Sequence, residues 1–138
     1  MYRKIVVAYD GSDGARAALR SAVALAEAAG GTIHLVHSTG HLEYAEQGVV
    51  QEDPSAESSA RAALEQAAGE LDEVSVVTSV VTGDPVQGII AAAEGIHADL
   101  IVAGSRGRAM VPQAVLGRVT SGIVSNPPCD VLVVQPEP

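Results

Sequence analysis

Residues 4–37, KIVVAYDGSDGARAALRSAVALAEAAGGTIHLVH, hold a strand, a helix and a second strand in direct succession. Lys4 to Tyr9 is short, apolar and rich in β-branched residues, as a buried strand is. Asp10-Gly11-Ser12-Asp13 breaks it. Ser12 is suited to cap the helix that follows, because its hydroxyl can accept from an orphaned first-turn amide. That helix is expected to reach about Ala29, with Leu19, Ala22, Val23 and Ala26 on one face and Arg16, Arg20 and Glu27 away from it. Gly30-Gly31 ends it. Thr32 to His37 is the second strand.

The alternation continues to the end of the chain. Ser38 to Asp53 is a polar connection. Pro54 opens a helix to about Leu71, with Glu57–Arg61 and Arg61–Glu65 at i,i+4 spacing. Val74 to Val81 is a third strand. Asp84-Pro85 is a helix start, with Asp as the cap and Pro at the first helical position. This helix turns Ile89, Ile90 and Ala93 inward and stops near Gly95. Asp99 to Ala103 is a fourth strand, followed by a loop with glycines and arginines from Gly104 to Gln113. A last helix is expected from about Gln113 to Ser125, ended by Asn126-Pro127-Pro128, since residues before proline leave the helical region. Val131 to Val134 is a fifth strand. Strands that alternate with helices and are apolar almost throughout predict an α/β fold. It is a single doubly wound, five-stranded parallel sheet with helices on both faces, Rossmann-like, in one domain over residues 1–138. Ligands of such sheets sit beyond the carboxyl ends of the strands. The segments to inspect are therefore Asp10–Asp13, Ser38 onward, Thr82–Pro85 and Gly104–Gly117.

Composition narrows the function. The 138 residues carry seventeen acids against eight bases, a net charge of −9. That argues against nucleic acid and against anionic membranes, which need a basic face. Aromatics are 2%, confined to Tyr2, Tyr9 and Tyr44, so a base-stacking platform is not available. One cysteine excludes an intramolecular disulfide framework and a cysteine-rich zinc site. No apolar run approaches the ~20 residues that span a bilayer. The first residues reach Asp10 too soon for a signal peptide. A cytoplasmic protein is expected.

The strongest chemical signal lies in the last third. Leu100 to Cys129 contains no Asp or Glu in thirty residues, yet holds Arg106, Arg108 and Arg118. At the average acid frequency of the chain about four acids belong there. A glycine-bearing loop, a helix N-terminus and arginines together make an anion site. The plain alternative is a packed helix with no room for acids and solvated arginines. Neither G-x-x-x-x-G-K-[ST] nor a post-strand G-x-G-x-x-G is present, and the only lysine is Lys4.

The segments KIVVAYDGS, TIHLVHS, VTGDP and DLIVAGSRGR…VLGRVTSGIVSNPPCDVLVVQP together resemble the universal stress protein family over essentially the whole chain. The nucleotide-binding branch has Gly, two residues, Gly, nine residues, Gly, then Ser or Thr. Gly104, Gly107 and Gly117 have that spacing, and Arg118 stands where Ser or Thr is usual. The resemblance implies an ATP-binding regulatory protein, with Mg2+ accompanying the nucleotide and Asp10 as its protein neighbour. Asp10 and Gly11 would lie near the nucleoside, and the backbone of Ser38 would meet adenine. Gly104 and Gly107 would surround ribose and phosphates, with Arg106 and Arg108 beside them. Gly117, Arg118, Val119 and Thr120 would offer amides and a hydroxyl to phosphate. Family members also pair through the fifth strand, which implies a homodimer through Val131 to Val134. The alternative within the family is a homodimeric interaction protein that binds no nucleotide. The resemblance allows at most slow ATP cleavage or self-phosphorylation.

Other groups have plainer readings. Asp13 suits the helix dipole, and Asp84 reads as a cap. His34 and His37 point to opposite faces of a strand and do not converge with His41 on a metal. His97 is expected to be solvated, Cys129 to be a small packed side chain and Tyr44 to be a loop residue. No acidic pair follows strand one and no lysine ends strand five, unlike a receiver domain. The turn after strand one is acidic, unlike a flavodoxin phosphate loop. No positioned base or dedicated metal set for hydrolysis is legible.

Overall fold

β1 (Lys4–Ala8) is the middle of a five-stranded parallel sheet with the order β3-β2-β1-β4-β5. The computed structural model describes residues 2–39, 54–105 and 116–136. The remaining elements are α1 (Asp13–Ala29), β2 (Thr32–Ser38), α2 (Pro54–Gly69), β3 (Ser75–Val81), α3 (Pro85–Gly95), β4 (Leu100–Gly104), α4 (Arg118–Ser125) and β5 (Asp130–Val134). The expected α/β architecture is therefore present. Ile5 sits opposite Ile33 on one side and Leu100 on the other.

The sheet separates two apolar layers. Ile5, Val7, Ile33, Leu35, Leu100 and Val102 pack with Ala18, Leu19, Ala22 and Ala26 of α1 and Leu64 and Ala67 of α2. Val6, Val36 and Ile101 pack on the other face with Ile89, Ile90 and Ala93 of α3 and Ile123 of α4. The period-two alternation of each central strand feeds both layers. Ile101 is fully buried, and its truncation to alanine costs about 2–5 kcal/mol.

Local signals stop and start the helices as expected. Ser12 Oγ accepts from Ala15 N at 3.2 Å, and Gly30 closes α1 in the left-handed region at φ 68°. Asp84 Oδ1 accepts from Val86 N at 3.0 Å, with Pro85 next in line. The last helix departs from expectation: it begins at Arg118, not near Gln113. Gly117 is extended (φ −58°, ψ 155°), and its amide donates to Ser105 O at 2.7 Å. That tie to β4 holds Gly117 out of the helix. Residues 113–115 lie outside the described ones.

The chain moves outward from β1 through β2 to β3, then crosses to β4 on the far side of β1. The winding therefore reverses between β1 and β4. Beyond their carboxyl ends lies the crevice in which such sheets bind ligands.

Candidate functional site

β1 ends in a turn built by its own polar atoms. Asp10 Oδ1 accepts from Ser12 N at 2.9 Å, and Gly11 takes φ 80°, a region that side chains disfavour. This turn leads directly into the capped start of α1. Asp10 is half-buried, and its Oδ2 has no partner among the described residues.

β4 arrives at the same place. A Cβ on Gly104 would lie 2.6 Å from the backbone carbon of Gly14 in α1, so only glycine permits this approach. It brings the exit of β4 against the first turn of α1, next to the Asp10 turn. Ser105 N donates to Val134 O at 2.8 Å and extends the ladder by one residue. Ser105 O accepts from Gly117 N. Thr120 Oγ1, buried, donates to Gly104 O at 2.7 Å. Two bonds thus fix the start of α4 to the end of β4.

No side chain caps α4. Its first-turn amides have no intrahelical acceptor, since the first such bond runs from Ser121 N to Gly117 O at 2.8 Å. Arg118 is exposed and makes no ion pair with any described residue. Thr120 spends its hydroxyl proton on Gly104, which leaves its backbone amide as its donor to a ligand. Val119 is half-buried against the α3–α4 layer and likewise offers backbone. Ser38 is the last residue of β2, opposite Val81, one position earlier in the fold than its expected place after the strand. Arg106, Gly107 and Arg108 lie outside the described residues, as do His41 and Tyr44. The structure thus brings Asp10, Gly11, Gly104, Gly117, Arg118, Val119 and Thr120 to the crevice end of β1 and β4.

Sequence reasoning passed over Ser105. It is 5% exposed, and its hydroxyl has no partner among the described residues. The readable signal was the alternation Ile101, Ala103, Ser105, which places a hydroxyl where an inward side chain belongs.

The other titratable groups are committed elsewhere. His37 Nδ1 donates to Tyr9 O at 2.6 Å, which fixes its tautomer and ties β2 to the end of β1. Burial, followed by the Lys4 charge, lowers the pKa of His34 and favours the neutral ring. Burial and then the nearby carboxylates of Asp130 and Asp99 push the Cys129 thiol up, away from reactivity. Asp84 is a cap. Among the described residues no three His, Cys, Asp or Glu side chains converge to hold a metal ion. No helix among them is long and apolar enough to cross a membrane.

An open parallel sheet with a polar crevice at its winding reversal defines a broad class of ligand-binding α/β domains. Comparison with known proteins narrows it. The model of the universal stress protein family matches residues 1–135, and the chain belongs to that family. A Thermus aquaticus relative, "Universal stress protein in QAH/OAS sulfhydrylase 3'region", is 34% identical over 142 residues, covering 98% of this chain and all of its own. The solved structure of the hypothetical protein MJ0577 superposes with a TM-score of 0.86 at 27% identity, covering 100% of this chain and 99% of that one. A universal stress protein solved in complex with cAMP superposes with a TM-score of 0.74 at 24% identity, covering 99% of each chain.

Proposed function

We propose that this universal stress protein binds an adenine nucleotide, ATP with Mg2+, in the crevice between β1 and β4 and acts as a regulatory module. The observation that carries the reading is the uncapped start of α4, fixed to the exit of β4 beside the Asp10 turn. The cAMP complex of a structural relative supports adenine as the base. Asp10 and Gly11 face the nucleoside, and the backbone of Ser38 meets the base. Gly104 and Gly107 surround ribose and phosphates. The amides of Arg118 to Thr120 and the guanidiniums of Arg106, Arg108 and Arg118 take the phosphates. Asp10 Oδ2 is suited to a ribose hydroxyl or to the nucleotide's Mg2+. The phosphates supply the remaining ligands, since the described residues hold no metal cluster of their own. The Arg118 substitution removes one neutral donor and adds a charged one, and charge-assisted bonds are about twice as strong. The nucleotide acts by binding two conformations or assembly states of a cytoplasmic protein unequally.

Thermal unfolding with and without millimolar Mg-ATP tests this, with GTP as control. At a hundredfold excess over Kd the ligand adds about 2.7 kcal/mol. For a chain of this length that is a midpoint rise on the order of 10 °C. A rise with ATP and none with GTP supports the reading; no shift with either removes it. Replacing Gly117 by valine abolishes the shift.

A second reading is a homodimer that works through partners without nucleotide. β5 supports it. It is an edge strand, its Leu132 is 38% exposed, and a bare edge invites pairing with a second copy through Val131 to Val134. Both readings predict a dimer that survives Gly117→Val in sedimentation; the nucleotide-dependent thermal shift separates them, because the second reading has none.

A further inference from the structure

The crevice opens where β1 leaves β4. Pairing of β1 with β4 ends at Val7 and Val102, whereas pairing with β2 runs on to Ala8 and Val36. Tyr9 N then donates to Val36 O at 2.9 Å, one more rung on the β2 side. Ala8, Tyr9 and Asp10 thus form a wall of the gap that is tied to the sheet from β2.

The last of these ties is a side chain. His37 Nδ1 donates to Tyr9 O at 2.6 Å. Ile33 and Leu35 lie in the α1–α2 layer, and strand alternation places His37 on that same face. Both backbone groups of Tyr9 are therefore bonded to β2 residues, and the next residue is Asp10. An imidazole is stiff, so a bond at Nδ1 fixes both the ring and the carbonyl it meets. Asp10 Oδ1 is spent on Ser12 N, and Ser12 Oγ on Ala15 N. The Asp10 carboxylate moves only with its turn. That turn is pinned by α1 on one side and by His37 on the other.

We propose that His37 is a positioning residue: by holding Tyr9 O it sets the Asp10 carboxylate to accept from the ribose hydroxyls of a nucleoside, and so gives the crevice its preference for ribose. This rests on the nucleotide reading above and deepens it. An ionised carboxylate only accepts, and hydroxyls that donate to it make short, charge-assisted bonds. A wall that drifts from β2 loses those bonds first. Contacts to the base through the Ser38 backbone belong to β2 and do not move with the wall.

Titration calorimetry without Mg2+ compares adenosine with 2′,3′-dideoxyadenosine, which lacks both hydroxyls. The proteins are the native chain, His37→Leu, His37→Asn and, as a control for lost stability alone, Asp84→Ala. Asparagine carries an amide where Nδ1 stands and keeps the donor; leucine keeps the bulk and removes it. The native chain is expected to bind adenosine about tenfold more tightly than the dideoxy analogue. His37→Leu brings the two to within about threefold by weakening adenosine alone, while His37→Asn and Asp84→Ala keep the native preference. Amide exchange follows the turn in the unliganded protein: Ser12 exchanges about tenfold faster in His37→Leu and at the native rate in His37→Asn. His37→Ala takes the place of His37→Leu should the latter not fold. A donorless variant that melts lower but keeps the native preference overturns the proposal, because the ring is then only structural. Native-rate exchange at Ser12 in that variant overturns it without any ligand. Equal native affinity for the two nucleosides overturns it and leaves the nucleotide reading standing. A native chain that binds neither nucleoside nor ATP removes the nucleotide reading and the role of His37 with it.

Discussion

Helices α3 and α4 cover the same face of the sheet, and they start differently. α3 is closed by its own sequence: Asp84 accepts from Val86 N and Pro85 needs no acceptor. α4 opens on Gly117, whose backbone dihedrals resemble those of the capping Ser12 but which has no side chain to turn back. One helix has spent its N-terminal field internally. The other leaves it open. An N-terminus left uncapped forgoes the stability that a cap contributes.

The largest expected effect comes from loosening the platform under the open end. Gly104→Ala forces a Cβ to within 2.6 Å of the Gly14 backbone. β4 and α1 must part, at about 1–3 kcal/mol, and the denaturant midpoint falls with it. If the midpoint holds, the close approach is not needed. Asp84→Ala, at the closed helix, removes a cap worth ~1 kcal/mol and lowers the melting temperature by roughly 3 °C, with nucleotide affinity unchanged. A change in affinity would mean that α3 also belongs to the site.

Gly117→Asp turns the open helix into a copy of the closed one. The dihedrals at 117 suit an N-cap, so stability rises by a few tenths of a kcal/mol. Under the proposed function nucleotide binding is lost, because a carboxylate then occupies the place proposed for phosphate. Retained binding in calorimetry would show that the phosphates go elsewhere. The smallest effect lies at the opposite end of the sheet, which is closed in the same sense. Asp99 Oδ2 accepts from the amides of Lys4 and Arg3 at 2.9 and 3.0 Å. These two bonds, Lys4 first, hold its carboxyl below the usual range. A lowered folded value means that its contribution is complete above about pH 4 and is lost as pH falls through that value. Asp99→Asn should therefore flatten the acid limb of a melting-temperature profile below about pH 4. An unchanged limb would assign acid sensitivity to other carboxylates.

Much of this was legible along the chain. The alternation of apolar strands with capped helices depends on residues a few positions apart. Lys4 to Tyr9, Ser12, Gly30 and Asp84-Pro85 therefore announced themselves. The acid-free stretch and the spacing of Gly104, Gly107 and Gly117 marked the region of the candidate site in the same local way. The start of α4 was misplaced because helical patterning near Gln113 is a local preference, whereas the bond from Gly117 N to Ser105 O crosses the loop. Thr120 looked like a ligand donor until its proton was found on Gly104 O.

By itself the sequence determined the order of elements, their caps, the acidic surface and the family, all of which are written in near neighbours and composition. Only the tertiary structure decided that β1 lies between β2 and β4 and that Gly104 rests on Gly14. Only it left α4 uncapped and buried Ser105 without a partner. Those facts depend on pairings between residues distant in the chain, which exist only once the sheet has closed around β1 and the backbone groups have chosen their partners.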